Sequence, residues 1–224
     1  MIGIYDTGLG GKYIADGVTQ LLPDVPVAFY ADKEALPLGN KPSAEIRAYV
    51  IRAVQELFEQ GCQLVILACN TASVHTIRYL QQEWLPNHYP ERKILGVTVP
   101  LRECLDTLSD TQKTETGILI ATQATIDSGF YQQDFAEQGL ANLTAVATPK
   151  LASAIEANDQ ASIQTQIQEL KDEYPTPSYL ILACTHYTHV AVQLRGTFPN
   201  TTIIDPSDYI IERIVEYWRR TFCK

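Results

Sequence analysis

Two cysteines occupy matching contexts near opposite ends of the sequence. Cys69 lies within residues 67–71, whose sequence is LACNT, and Cys184 lies within residues 182–186, whose sequence is LACTH. Each cysteine follows a short apolar run and precedes a segment that can be helical. The repetition predicts two thiols that face each other across a cleft. Thiols in that arrangement could exchange protons with both faces of one small molecule.

The residues that follow each cysteine favour the start of a helix. Asn70 and Thr71 are good N-cap types, so free backbone N–H groups and the positive end of a helix dipole would point at this loop. Such an environment lowers the pKa of a thiol and also binds carboxylates. Cys184 is followed by Thr185 and by His186, whose imidazole can act as an acid or a base. The alternative, for either cysteine taken alone, is a small core residue at a strand end.

An acidic residue ends the first apolar run of the chain. Asp6 precedes Thr7, and an acid in this position could hold a substrate ammonium group or assist a thiol. The alternative is that Asp6 caps the following helix. Residues 8–11 are glycine-rich, but they have neither the glycine spacing of dinucleotide-binding loops nor the Lys-Ser/Thr pair of phosphate loops. We therefore predict no nucleotide site.

Composition restricts the class of protein. The chain has 224 residues, 46% of them hydrophobic and 19% charged, and a formal net charge of −9, which suits one large or two small globular domains. No basic stripe indicates nucleic-acid binding, and no apolar run reaches the roughly 18 residues of a membrane helix. With no cleavable leader pattern, we expect a cytoplasmic protein. The five cysteines lack metal-ligand spacing, so we expect neither a metal site nor a disulfide scaffold.

Short apolar runs alternate with segments of helical periodicity. Residues 43–59 repeat apolar side chains at the helical period, with Ser43 as the expected N-cap, and residues 71–85 and 205–222 are similar. Strands are expected at residues 2–5, 27–30, 64–68, 94–97, 117–121, 143–147, 179–183 and 202–204. This alternation predicts an α/β fold with mostly parallel sheets flanked by helices.

The two halves of the chain repeat the same order of elements. We predict two pseudo-symmetric α/β domains, the first formed by residues 1–97 plus 206–224 and the second by residues 98–205. Ligands of open α/β sheets bind at the C-terminal ends of strands, so we expect the active site in the cleft between the domains. The residues at such ends are Asp6, Cys69, Thr122 and Cys184.

Four sequence blocks together resemble the bacterial glutamate racemases of the aspartate/glutamate racemase superfamily. Residues 3–11 (GIYDTGLGG) look like the opening motif of that family, residues 68–72 (ACNTA) like its first cysteine motif, and residues 184–187 (CTHY) like its second. Residues 121–131 (ATQATIDSGFY) resemble a further motif that ends in tyrosine. The blocks follow the family order and cover nearly the whole chain.

The resemblance implies a cofactor-independent racemase with two bases. One cysteine thiolate removes the Cα proton while the opposite thiol returns a proton to the other face, with Cys69 serving the D-isomer and Cys184 the L-isomer. It also implies that Asp6, His186 and Glu156 tune these thiols. The residues implied to bind the amino acid are Asp6, Thr7, Leu38, Gly39, Asn70, Thr71, Thr122, Thr185 and His186. Such chemistry needs a dry pocket with fixed donors on the carboxylate, and one base ionised while the other is protonated.

The sequence departs from the family pattern near these motifs. Leu38 stands in place of a tyrosine, Thr188 and His189 in place of a Pro-Leu pair, and Thr148 in place of a cysteine. The acid/base positions are kept, so we predict racemization of glutamate, with D-glutamate supplied to peptidoglycan. Two alternatives stay open: the same chemistry on another amino acid such as aspartate, and a catalytically weak homologue with a binding or regulatory role. The expected partner is a small-molecule amino-acid substrate. We expect neither nucleic acid nor a membrane as a partner, and we leave a homodimer open.

Overall fold

The structure is a computed structural model that describes residues 1–140 and 142–223. Within those ranges, eight strands form two four-stranded sheets in which every neighbouring pair is parallel. The strands are β1 Ile2–Asp6, β2 Val27–Ala31, β3 Leu64–Leu67, β4 Lys93–Gly96, β5 Gly117–Ala121, β6 Leu143–Ala147, β7 Tyr179–Leu182 and β8 Thr202–Ile204. The predicted α/β fold with parallel sheets is confirmed.

Helices connect the strands and cover both faces of each sheet. The α-helices are α1 Leu9–Leu21, α2 Ser43–Glu59, α3 Asn70–Tyr79, α4 Leu85–His88, α5 Thr98–Glu103, α6 Asp110–Thr114, α7 Gln123–Asp127, α8 Phe130–Glu137, α9 Leu151–Glu156, α10 Gln160–Glu173, α11 Ala191–Thr197 and α12 Ser207–Phe222. Short 3₁₀ segments occur at Lys33–Ala35, Leu38–Asn40, Cys104–Thr107 and Thr185–Val190. None of the helices in the described part of the chain has the length and apolar character that crossing a bilayer requires.

The two sheets have the same strand order. The first sheet is ordered β2-β1-β3-β4 and the second β6-β5-β7-β8, so β1 corresponds to β5 and β3 to β7. These four strands are buried along their whole length, which explains their nearly continuous apolar sequences. Parallel pairing of β1 with β3, and of β5 with β7, aligns their C-terminal ends. The two cysteines therefore leave equivalent central strands.

The last helix packs beside the first. Ile210, Ile214 and Trp218 of α12 join Ile14 and Val18 of α1 in one buried cluster on a face of the first sheet. The amphipathic pattern of α12, with its arginines and glutamates on the outer side, fits this position. The proposed domain boundaries themselves stay a prediction.

The helix predicted over residues 71–85 is interrupted. The structure instead has α3, then a π-helical turn over Leu80–Trp84, then α4. Pro86 has no N–H, so it cannot continue the ordinary helical bonding. The N–H of Leu85 bonds to the carbonyl of Leu80, five residues back, and this wider bonding is what defines a π turn.

Two predicted helix starts are wrong. Ser43 is not the N-cap of α2, because the helix already begins there and the carbonyl of Pro42 accepts its first hydrogen bonds. The Ser43 hydroxyl lies 2.9 Å from His75 Nδ1 instead. The last helix begins at Ser207 rather than at residue 205, since the carboxylate of Asp205 accepts the Ser207 N–H from outside the helix.

Candidate active site

A small cavity lies between the C-terminal ends of the two sheets. Its volume is about 30 Å³, enough for roughly one water molecule. The predicted residues that line it are Thr7, Leu38, Gly39, Cys69, Thr71, Thr122, Cys184 and His186. Among residues 1–140 and 142–223, no group of three or more His, Cys, Asp or Glu side chains is placed to hold a metal ion. Ligand pockets are typically about 300–1,000 Å³, so the cavity in this structure is smaller than an ordinary ligand pocket.

The remaining predicted residues lie directly behind this lining. Asp6 and Thr185 are hydrogen-bonded to each other, Glu156 contacts His186, and Asn70 is held by a tyrosine from the other half of the chain. All twelve of the residues predicted for the site are therefore brought together, eight as walls and four as supports.

Cys69 sits at the N-cap position of α3, with 8% of its surface exposed. Burial raises the pKa of the Cys69 thiol well above its usual value, and the negative charge of nearby Asp6 raises it further. The backbone N–H groups of Ala72 and Thr71 act in the opposite direction. The start of the helix does lower the pKa of the Cys69 thiol, as expected. Desolvation of the thiolate raises this pKa by more. The net effect favours the thiol of Cys69 over its thiolate.

Asp6 is completely buried and fully hydrogen-bonded. Its Oδ1 accepts the N–H of Thr7 at 2.6 Å, and its Oδ2 accepts the hydroxyl of Thr185 at 2.9 Å. Burial raises the pKa of Asp6, against the lowering effect of a positive charge on His186. Gly8 occupies the N-cap position of α1 with no side-chain cap. The alternative of Asp6 as a helix cap is therefore wrong: its carboxylate links the first half of the chain to the second.

The surroundings of Cys184 form a hydrogen-bonded relay. Cys184 Sγ lies 3.9 Å from His186 Nδ1, and His186 Nε2 lies 3.0 Å from Glu156 Oε2. The same carboxylate oxygen accepts the N–H of Leu9 at 2.9 Å. Leu9 opens α1 in the first half, so this relay also crosses between the halves. The carboxylate fixes the orientation of the imidazole against the sulfur.

The relay favours a protonated imidazole. Burial by itself lowers the pKa of His186, but the hydrogen bonds to Cys184 and Glu156, with the negative charges of Cys184 and Asp6, raise it well above the ordinary histidine value. The hydrogen bond from His186 in turn is the main cause of a lowered pKa of Glu156. A positive charge thus lies next to the sulfur of Cys184.

Hydroxyl groups form another side of the cavity. Thr71 Oγ1 lies 2.9 Å from Thr122 Oγ1 and 3.3 Å from Thr125 Oγ1, so residues of both halves share this cluster. None of the described lining residues is Lys or Arg. A bound carboxylate would therefore meet neutral donors, in the manner of backbone and hydroxyl sites for anions.

The glycine-rich residues 8–11 serve close packing. A Cβ on Gly8 would lie 2.2 Å from Glu156 Oε2, and a Cβ on Gly10 would lie 2.5 Å from the carbonyl carbon of Thr185. Both distances are far inside van der Waals contact, so only glycine lets the supports of Cys184 approach α1. This explains a glycine cluster without a phosphate site.

The departures from the family pattern have separate structural places. Leu38 is 2% exposed and forms part of the cavity wall. The Thr188 hydroxyl donates to Asp205 Oδ1 at 3.0 Å, and His189 Nε2 lies 3.2 Å from the carbonyl oxygen of Leu9. Thr188 and His189 therefore tie the segment after Cys184 to neighbouring helix starts instead of lining the cavity.

Several residues of the site were missed from the sequence. Thr125 joins the hydroxyl cluster, and Tyr131 donates to Asn70; both lie within residues 121–131, a block that already matched the family. Ala152 and Ser153 line the cavity, and they precede Glu156 by four and three residues in α9. That spacing puts them on the same helix face as Glu156 and could have identified them.

Known proteins resemble this chain in sequence and in fold, although no protein-family model matches it. The glutamate racemase of Roseobacter denitrificans is 32% identical, over 98% of this chain and 85% of its own length. The crystal structure of glutamate racemase from Campylobacter jejuni has a TM-score of 0.84 at 28% identity, over 96% of this chain and 85% of that chain. Glutamate racemase from Francisella tularensis, in complex with D-glutamate, has a TM-score of 0.81 over 98% of this chain and 81% of that chain; at 23% identity, this likeness shows the fold alone.

Proposed function

The chain belongs to the glutamate racemase family, and we propose that it interconverts L- and D-glutamate by proton transfer between Cα and the thiols of Cys69 and Cys184. The observation that carries the proposal is the pairing of these two cysteines in one cavity at the ends of equivalent strands, with unlike charges beside them. Asp6 adds negative charge next to Cys69, and His186 adds positive charge next to Cys184. Inversion requires one protonated base and one ionised base, and the different charges beside the two sulfurs support such a division of roles.

The proposed reaction starts from the L-isomer. Cys184 as thiolate takes the Cα proton, so the Cα–H bond breaks and an S–H bond forms. The protonated thiol of Cys69 then delivers its proton to the opposite face of Cα, which gives the D-isomer and leaves Cys69 as thiolate. The D-isomer reacts by the reverse steps. The assignment of each cysteine to an isomer follows from the family resemblance.

The neutral donors of the cavity would hold the substrate carboxylates. The proposed donors are the side chains of Thr7, Asn70, Thr71 and Thr122, while Leu38 and Gly39 supply a wall. Thr185, whose hydroxyl hydrogen is donated to Asp6, would act through that carboxylate. Carboxylates held in this way withdraw charge from Cα as the proton leaves, and exclusion of water strengthens the effect. The small volume of the cavity supports a cycle in which the walls open for substrate and close for proton transfer.

Family membership also supports the wider role. We propose that the D-glutamate serves peptidoglycan synthesis and that the protein works in the cytoplasm. The domain boundaries at residues 97–98 and 205–206 belong to the same proposal, with the cleft between the domains as the site of reaction.

The test is conversion of L- and D-glutamate by the purified protein, followed by circular dichroism or chiral chromatography. We expect Cys69→Ala and Cys184→Ala each to lower kcat/KM by roughly 10³-fold or more, the scale of a lost acid/base group. Cys62→Ala is the matched control, because Cys62 is equally buried but lies outside the cavity. Full activity in either single site variant would contradict the two-base proposal.

Other amino acids test the remaining alternatives. Leu38 replaces a tyrosine of the family in the cavity wall, so a panel of L-amino acids that includes aspartate should be assayed for inversion. A preference for aspartate would make the protein a racemase of the same chemistry with another substrate. If the folded protein turned over none of these amino acids, the binding or regulatory role would be the alternative that remains.

A further inference from the structure

A buried hydrogen bond joins the two halves next to the first cysteine. The hydroxyl of Tyr131, on α8 of the second half, donates to Asn70 Oδ1 at 2.5 Å. Asn70 is the first residue of α3, directly after Cys69. Tyr131 is 1% exposed and Asn70 is 2% exposed. A side-chain contact buried this deeply fixes the orientation of both groups.

The phenol acts as the donor of this bond. Burial raises the pKa of Tyr131 well above its usual value, and the negative charges of Asp134, Cys69 and Cys184 raise it further. The phenol therefore keeps its proton throughout the working pH range.

The other end of the Asn70 amide is left without a partner. Its Nδ2 is buried and has no hydrogen-bond acceptor among the described residues. A buried amide donor without an acceptor is unfavourable. Asn70 itself lies behind the cavity lining, but its chain neighbours Cys69 and Thr71 both belong to that lining. A substrate carboxylate held there is the acceptor that would satisfy this amide.

We propose that Tyr131 is a positioning residue, which turns the Asn70 amide so that its Nδ2 donates to a carboxylate of the bound substrate. The inference rests on the proposed function, since it needs an amino acid between the cysteines. Without the phenol, the amide is free to turn by half a rotation. Its Oδ1 would then face the carboxylate, and the donor would be replaced by a repulsive oxygen.

A double-mutant cycle tests the inference. Tyr131→Phe keeps the ring that packs on Phe135 and removes only the hydroxyl. We expect it to raise KM by about tenfold with kcat changed by less than about threefold, since a charge-assisted hydrogen bond is weakened before chemistry begins. Because the equilibrium constant of racemization is one, kcat/KM must fall equally in both directions.

The second variant shows whether the tyrosine acts through the asparagine. In Asn70→Ala the donor itself is gone, so adding Tyr131→Phe should lower kcat/KM by no more than about another twofold. A double variant that loses the product of the two single effects would overturn the inference. So would a Tyr131→Phe enzyme whose KM stays within about twofold of wild type, the usual limit for uncoupled sites.

Tyr179→Phe is the matched control. The Tyr179 hydroxyl is also buried, but it has no hydrogen-bond partner among the described residues, and Tyr179 lies on β7, away from the cavity wall. This variant should leave KM unchanged. Calorimetric binding of L-glutamate to Tyr131→Phe in the Cys184→Ala background should show the same tenfold loss in affinity as the KM, and unchanged affinity would overturn the inference. Wild-type protein inactive on all amino acids would instead refute the proposed function.

Discussion

Cys69 and Cys184 follow corresponding strands, β3 and β7, yet the chain continues differently after each. Cys69 leads into α3, a regular helix whose first backbone N–H groups approach the sulfur. Cys184 leads into the 3₁₀ segment Thr185–Val190, which brings an imidazole to 3.9 Å from the sulfur. Repetition of the fold thus sets the position of both thiols, while the local sequence sets their charge environment.

The charged side chains next to the two cysteines are opposite in sign. Beside Cys69 there is a buried carboxylate, Asp6, and beside Cys184 there is the imidazole of His186 paired with Glu156. A racemase with two identical bases would need some other cause to keep one protonated and the other ionised. The comparison shows that the two sulfurs have different charged neighbours.

Each support is also completed by the opposite half of the chain. Asp6 accepts a hydroxyl from Thr185, and Glu156 accepts the N–H of Leu9. The charged neighbour of each cysteine is therefore held in place by a hydrogen bond between the two halves.

The largest effect should come from removing one thiol at a time and following solvent deuterium. We expect deuterium from D₂O to enter L-glutamate in Cys69→Ala, where Cys184 remains, and D-glutamate in Cys184→Ala, with inversion reduced by roughly 10³-fold in both. Proton NMR of the Cα signal measures this exchange. Equal exchange of both isomers in either variant would show that the thiols do not serve separate faces.

Neutralising Asp6 and neutralising His186 should change the activity in different ways. Asp6→Asn removes a charge that raises the pKa of Cys69, so the alkaline limb of kcat/KM should move to lower pH. His186→Asn removes the positive neighbour of Cys184, so activity at neutral pH should fall by roughly 10²-fold. Identical pH profiles for the two variants would contradict the comparison.

Glu156→Gln should have a smaller effect on the second cysteine. The pKa of His186 is raised in the folded protein, so its stabilising charge is complete below the unfolded value of about 6.5 and is lost as the pH rises through the folded value. Without the carboxylate, that folded pKa falls. We expect kcat/KM to drop by about tenfold and its alkaline limb to shift to lower pH.

Titration of the His186 imidazole by NMR measures this shift directly. Glu103→Gln is a suitable control, because Glu103 pairs with Arg213 away from the cysteines. The lowered pKa of Glu156 acts at the other end of the pH range. Its stabilisation is present above the unfolded value of about 4.5 and is lost as the pH falls through the lower folded value. A wild-type pH profile in Glu156→Gln would exclude the relay as a determinant of protonation.

The smallest effect is expected from Thr188, which anchors the segment after Cys184 and lies outside the cavity wall. Thr188→Val removes the hydroxyl bonds to Asp205 and Ser207, so the free energy of unfolding should fall by about 1 kcal/mol. The expected change in kcat/KM is within about threefold. Thr165→Val is the control, since the Thr165 hydroxyl bonds only within its own helix. Urea unfolding of both variants decides whether Thr188 is structural.

Much of the architecture was predictable from local patterns. The apolar runs predicted the strands to within one residue at each end, because the buried central strands and the half-buried edge strands are all short apolar stretches bounded by polar residues. Helix bounds failed at Pro86, Ser43 and Asp205, where a missing N–H or a side-chain contact from outside the helix changed the bonding. The sequence blocks also gave the family, which the relatives confirm.

The different charged neighbours of the two cysteines were harder to predict from the sequence. A helix start after Cys69 predicts a lower thiol pKa, but burial and Asp6 reverse the sign. Tyr131 was present in a recognised motif, yet nothing in its spacing points to Asn70, 61 residues earlier. Desolvation and long-range hydrogen bonds depend on the packing of both halves, so they cannot be derived from neighbours in sequence.

The amino-acid sequence by itself determined the parallel α/β halves, the equivalent positions of Cys69 and Cys184, and the family. These follow from local hydrophobic patterns and short motifs, which act within a few residues of the chain. Only the tertiary structure decided which charge accompanies each thiol, and that Thr185, Leu9 and Tyr131 complete a site in the other half. The physical reason is that the electric field and hydration at a buried sulfur are sums over everything packed around it.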